Sequence, residues 1–132
     1  MKLVIGGYAQ GKLAYVRKKE DGKQCRIYDG TIPEKLQSEQ TADQENVIII
    51  DHFHAWIREQ ISLGKNPEER AQELMKSPAQ IIVISDEIGN GIVPMDAFER
   101  EYRERTGRIL VKLAEQSEEV VRVVCGIGQR IK

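Results

Sequence analysis

The sequence predicts a three-layer α/β sandwich, a mostly parallel sheet with helices on both faces, and three observations carry that prediction. Aliphatic, largely β-branched runs without polar alternation recur at Leu3-Val4-Ile5, Val47 to Ile50, Ile81 to Ile84 and Val120 to Val124, the pattern of strands buried on both faces. Segments with helical spacing separate them, and strands alternating with helices build parallel sheets. The first run closes on Gly6-Gly7 and leads straight into a helical segment.

The 132 residues fit one compact domain, 1–132, with no room for a second. With 40% hydrophobic and 31% charged residues and four prolines, the chain lies outside the composition of disorder. A formal net charge of −1 provides no global field for nucleic acid or an anionic membrane. No apolar run approaches the roughly 20 residues that span a bilayer, and Met1-Lys2 enters a strand without a signal-peptide pattern. A cytoplasmic location is therefore expected. Cys25 and Cys125 lack zinc spacing and disulfide density, so they read as reduced, buried thiols.

Taken in order, Lys2 to Ile5 is the first strand. Lys12 to Glu20 reads as a short helix with Leu13, Val16 and Tyr15 inward, broken by Asp21-Gly22. Gln24 to Tyr28 is a second strand; Asp29 to Glu45 is a polar loop with one helical turn at Glu34-Lys35-Leu36. Asn46 to Ile50 gives the strongest strand signal and ends at Asp51. His52 to Leu63 follows as a helix facing inward through Phe53, Trp56, Ile57 and Ile61, closed by Gly64. Pro67 opens the next helix, whose first turn carries Glu68 and Glu69. After the strand at Ile81 to Ile84 and the loop Glu87 to Gly91, Met95 to Glu115 forms the longest helix, with an apolar stripe of Phe98, Tyr102, Ile109, Leu110 and Leu113. Val120 to Val124 is the last buried strand, and Gln129 to Lys132 a terminal edge.

In a parallel α/β sheet ligands bind at the carboxyl ends of the strands, here Gly6 to Lys12, Asp51 and the Ser85 to Gly91 loop. Gly6-Gly7-Tyr8-Ala9-Gln10-Gly11-Lys12-Leu13 fits the phosphate-loop pattern G-x-x-x-x-G-K-[ST] except at its last position. Glycines let successive N–H groups point at one phosphate, the helix N-terminus adds positive potential, and Lys12 can reach the β- and γ-phosphate oxygens. The hydroxyl that normally holds Mg²⁺ is missing, because Leu13 has no oxygen. Asp51 ends an aliphatic strand like an acid that serves Mg²⁺, but the same placement suits a helix N-cap. His52 and His54 face different ways on a helix and read as surface or loop-lining residues rather than ligands. Arg100, Arg103, Arg105 and Arg108 lie among Glu99, Glu101 and Glu104, reading as a solvated face of exposed ion pairs.

These segments resemble the bifunctional adenosylcobinamide kinase/adenosylcobinamide-phosphate guanylyltransferase family, of which this chain looks like a shortened, divergent member. The resemblance rests on Leu3 to Gly7 with Gly11-Lys12, on Val47 to Asp51 with Trp56, and on Val83-Ile84-Ser85-Asp86-Glu87-Ile88-Gly89-Asn90-Gly91-Ile92-Val93-Pro94. It continues through Arg100, Tyr102, Arg103, Gly107, Val123 to Gly126 and Ile131-Lys132. Asp86 stands where the family's loop carries Asn. The resemblance implies a P-loop NTPase-like fold, ATP or GTP with Mg²⁺ as phosphate donor, and a cobinamide acceptor hydroxyl. It further implies GMP transfer through a guanylylated histidine. By position, Gly6, Gly7, Gly11 and Lys12 hold phosphates within the loop Gly6 to Leu13, Asp51 serves the metal, and Glu87 lines the site with Gly89 to Pro94. Val16 to Glu45 contains no histidine, so guanylyl transfer by the family route is not expected. Two readings stay open: a cobinamide-type kinase, or a non-catalytic nucleotide- or corrinoid-binding regulator or subunit. A small interaction module without nucleotide is a third. Homo-oligomers are implied by the resemblance, with Trp56 and its helix as a candidate contributor.

Overall fold

The computed structural model describes residues 1–36, 46–89, 91–92 and 95–132. Among these, ten elements follow in order: β1 (Lys2–Gly6), α1 (Lys12–Lys19), β2 (Gln24–Asp29), β3 (Asn46–Asp51), α2 (Phe53–Ser62), α3 (Pro67–Lys76), β4 (Ile81–Asp86), α4 (Ala97–Gln116), β5 (Glu119–Val124) and β6 (Ile127–Arg130). The strands form one sheet in the order β2-β3-β4-β1-β5-β6. Every neighbouring pair is parallel except β5 with β6. The predicted sandwich is therefore the observed one, with one correction of balance: α1 alone covers one face, and the other three helices cover the other.

Side-chain alternation along the strands builds both layers. Leu3, Ile50, Ile81, Val83 and Val120 point into a cluster with Phe53, Trp56 and Ile57 of α2, Leu74 of α3, and Ile109 and Leu113 of α4. Their neighbours Val4, Val47, Ile49, Ile82, Ile84, Val121 and Val123 point the other way, onto Val16, with Leu13 and Tyr15 packed alongside. Such two-sided strands need apolar side chains at every position, which is why the runs lack polar alternation.

Helix ends follow local chemistry. Asn66 accepts from the N–H groups of Glu68 and Glu69 and caps α3 ahead of Pro67. Asp96 accepts from Glu99 N–H at the start of α4, and Gly64, at φ 69°, receives the chain as α2 ends.

Several expectations are corrected. The helical turn at Glu34 to Leu36 is absent; that segment is held instead by Arg70, whose guanidinium donates to the carbonyls of Pro33 and Glu34. The rest of the predicted loop, 37–45, and positions 90, 93 and 94 lie outside the described residues. The terminal strand comes earlier than Gln129 because Cys125-Gly126 makes a two-residue turn, both at positive φ (51° and 76°), which folds β6 directly back on β5. Both thiols are free, as expected, but Cys125 is exposed and Cys25 is only half-buried, packed against the apolar layer beneath α1. Trp56 is buried in the core and stacked on Phe53 at 5.4 Å.

Thr106 of α4 is fully buried, and its hydroxyl has no hydrogen-bond partner among the described residues. Because an unpaired buried hydroxyl is costly, Thr106→Val is expected to stabilise the fold by about 1 kcal/mol. A higher urea midpoint at unchanged slope is the predicted reading.

Candidate functional site

The carboxyl edge of the sheet gathers charge from three adjacent strands. Asp29 ends β2, Asp51 ends β3 and Asp86 ends β4, and the β2–β3 ladder sets Asp29 opposite Asp51. By alternation Asp51 shares the face of Val47 and Ile49, and Asp86 that of Ile82 and Ile84. This is the face covered by α1, the helix that Lys12 begins.

The loop between β1 and α1 bends through left-handed backbone at Ala9, with φ 53°, and at Gly11, with φ 84°. Such turns aim successive N–H groups at one point. Gly11 caps α1 with no side-chain hydrogen bond, and the first turn holds no acid, so the positive helix end is not neutralised by its own sequence. The β5–β6 turn braces the loop from outside. Cys125 N–H donates to Gln10 Oε1 and Gly126 N–H to the Gln10 carbonyl, each at 2.8 Å.

Gly6 is glycine for a different reason. It is the last residue of β1, and a Cβ there would stand 2.5 Å from the Val123 carbonyl oxygen. Tyr8 is largely exposed at the loop's tip, and Leu13 packs half-buried on the apolar layer beneath α1.

Lys12 crosses the loop. Its ammonium donates to the Gly7 carbonyl at 2.6 Å and lies 2.7 Å from Asp86 Oδ1. Both side chains are well shielded, at 8% and 16% exposure, and removing either from such a pair would strand the other. The sheet sets Asp86 beside Lys12 because Gly6 and Asp86 are register partners on adjacent strands. Asp51 sits one strand further away, with β4 between β3 and β1.

Two histidines complete the edge. Asp86 N–H donates to His54 Nδ1 at 3.1 Å, which leaves the ring proton on Nε2, 3.4 Å from Asp86 Oδ2. Burial pushes the His54 pKa below its usual 6.5, against the pull of Asp86. Tyr102, whose pKa burial pushes up to about 12, donates its hydroxyl to the His54 carbonyl at 3.0 Å. His52 is more exposed and has left-handed backbone, with Nδ1 2.5 Å from Asp29 Oδ1 and 3.5 Å from Asp51 Oδ2. The hydrogen bond to Asp29 raises its pKa above 6.5 despite opposing burial.

The two rings therefore titrate on opposite sides of 6.5. In metal-free NMR titrations the His52 midpoint is expected above that value and the His54 midpoint below it. The linkage signs follow. His54 takes up its proton more readily in the unfolded chain, so its contribution is present above about 6.5 and fades as pH falls. His52 contributes in the acid range and loses that contribution as pH rises through its elevated pKa.

The N-cap alternative for Asp51 does not match the geometry. His52 is the residue before α2, it caps without a side-chain bond, and Asp51 Oδ1 instead accepts from His52 N–H at 2.9 Å. Ligand atoms of Asp29, Asp51 and His52 lie within 4.8 Å of one another, an oxygen-rich set of the kind that hard divalent cations take. Glu87 lies beyond β4, and both its carboxylate oxygens meet Arg122 of β5, at 2.6 and 3.1 Å. Its N–H donates to the Gly6 carbonyl.

Arg108 keeps to the predicted solvated face, in an exposed ion pair with Glu104, but two other arginines of α4 depart from it. Arg103 donates to the carbonyls of Gly89, Gly91 and Ile92, holding the loop after β4, and Arg105 joins α4 to α3 through Glu68 at 2.8 Å. Sequence reasoning missed Asp29 and the Arg103 clamp, and placed Asp86 at the ligand edge within Ser85 to Gly91 without giving it a role. A signal for the acids was present, since the second, third and fourth strands, QCRIYD, NVIIID and IIVISD, all end in aspartate.

A strand, a glycine loop and a helix capped by that loop, at the carboxyl edge of a mostly parallel sheet, define a P-loop NTPase-like α/β protein. Residues 26–131 match the cobinamide kinase / cobinamide phosphate guanyltransferase family, and the chain belongs to that family. The matched region starts after the glycine loop. Over 57 residues the chain is 40% identical to the bifunctional adenosylcobalamin biosynthesis protein CobU of Salmonella typhimurium, and equally to that of Escherichia coli. Each alignment covers 43% of this chain and 32% of the relative, so the chain matches about a third of the length of these curated proteins. Among the described residues no helix is long and apolar enough to cross a membrane.

Proposed function

We propose that the chain binds ATP or GTP with Mg²⁺ at the Gly6 to Leu13 loop and transfers the γ-phosphoryl group to a cobinamide hydroxyl. The observation that carries this reading is Lys12, held at the mouth of a strand–loop–helix unit within a chain of the cobinamide kinase family. Loop N–H groups and the open end of α1 would bind the phosphates, and Lys12 would move to their β- and γ-oxygens. The edge carboxylates suit a hard cation, with Asp51 assigned to it; when bound, Mg²⁺ neutralises charge developing on the transferred group. Asp51 or Glu87 would orient the acceptor hydroxyl, Glu87 being steadied by Arg122. Guanylyl transfer is left out of this reading because residues 16–45 carry no histidine.

A second reading, a nucleotide- or corrinoid-binding regulator or subunit that no longer turns over, is favoured by Leu13, which has no oxygen to offer and packs half-buried against the apolar layer beneath α1. Calorimetry with ATP and GTP, with and without Mg²⁺, combined with an assay of phosphoryl transfer to cobinamide, separates the two. Binding with turnover supports the kinase; binding without it supports the regulator. No binding leaves the glycine loop a structural turn and sinks both nucleotide readings.

A further inference from the structure

We infer that the Asp86 carboxylate is an oxygen ligand for the divalent cation that accompanies the triphosphate, in place of the hydroxyl that Leu13 lacks; the inference rests on the triphosphate reading above. Three features lead to it. First, Asp86 is the edge acid beside the loop: β4 adjoins β1, and Gly6 pairs with Asp86, whereas Asp51 lies on the strand beyond. Second, Leu13 carries no oxygen and packs half-buried against the apolar layer beneath α1, so position 13 supplies no ligand.

The third feature is charge balance. In the unliganded protein Lys12 neutralises Asp86 at 2.7 Å and also satisfies the Gly7 carbonyl. To reach a triphosphate, Lys12 must leave both. Asp86, only 16% exposed, would then face incoming phosphates as an unpaired anion, which a shielded site does not tolerate. The other groups around it cannot substitute. His54 offers only one N–H, at Nε2, toward Oδ2 at 3.4 Å, and Arg122 is engaged by Glu87. A divalent cation held by the Asp86 carboxylate would restore the balance as Lys12 departs. The lysine and the metal thus exchange places on one carboxylate, and His54 steadies its other oxygen.

The test compares wild type with Asp86→Asn by calorimetry with ATP and GTP, in EDTA and in Mg²⁺. Wild type is expected to gain at least about tenfold in affinity from Mg²⁺. In the variant, metal-free binding should tighten, because Lys12 is released and a negative charge removed, and the Mg²⁺ gain should fall to a few-fold or less. Adding Leu13→Thr to Asp86→Asn should restore part of that gain. A measurement on wild type avoids any folding defect: with Mn²⁺ and nucleotide bound, the Asp86 carboxylate ¹³C resonance should broaden away. A full Mg²⁺ gain in Asp86→Asn, or a sharp Asp86 resonance in the Mn²⁺ complex, overturns the inference and leaves nucleotide binding intact. Failure of wild type to bind any nucleotide overturns both.

Discussion

Lys12→Ala is expected to weaken ATP and GTP binding by roughly tenfold to a hundredfold, the worth of one or two charge-assisted hydrogen bonds. The same change removes the cation from Asp86, a carboxylate at 16% exposure. Stranding one member of such a shielded pair costs about 3 kcal/mol, the low end of the usual range because His54 Nε2–H still faces the second oxygen at 3.4 Å. The two effects come apart in the double variant with Asp86→Asn. There the stranded charge is gone and stability should largely return, while the affinity loss persists because no cation meets the phosphates. Calorimetry and thermal melts on the three variants read both. Unchanged triphosphate affinity in Lys12→Ala would remove the phosphate-binding role of the loop.

Gly6→Ala should destabilise the protein by about 3 kcal/mol, lowering the melting temperature by roughly 10 °C in a domain of this size. The added methyl would stand 2.5 Å from the Val123 carbonyl oxygen and 3.3 Å from Lys12 Cδ. The first of these contacts is with backbone of the neighbouring strand, in register with Gly6, so it cannot swing aside as a side chain would. Relief requires β1 and β5 to part at the end where the loop begins. Gly7→Ala is the control: its Cβ would meet only Gln10 Cγ at 3.5 Å, an ordinary contact. A melting temperature for Gly6→Ala within a degree or two of that control would mean the strands yield more easily than close packing allows.

Much of this architecture was legible in the residues. The four aliphatic runs are β1, β3, β4 and β5, and the apolar spacing of Phe53, Trp56, Ile57 and Ile61 is the buried face of α2. Gly6 to Lys12 runs from the last residue of β1 to the first of α1, as the motif requires. Where reading failed, a contact distant in sequence decided the outcome. Arg103 resembled any exposed helix arginine, yet it holds carbonyls at Gly89, Gly91 and Ile92, 14, 12 and 11 residues away. Cys125 had the composition of a core thiol but sits at a tight turn braced by Gln10, 115 residues earlier.

The candidate site divides along the same line. The sequence by itself determined the local elements: strands from β-branched runs, a glycine loop with its lysine, and an aspartate closing each of three strands. Local conformational preference and hydrophobic period act over a few residues, so they can be read in one dimension. Strand order is not local. Only the folded sheet, by inserting β4 between β3 and β1, gave Lys12 to Asp86 and left Asp51 with His52 and Asp29. Charge interactions depend on separation and shielding in space, and both were fixed when the strands took their places.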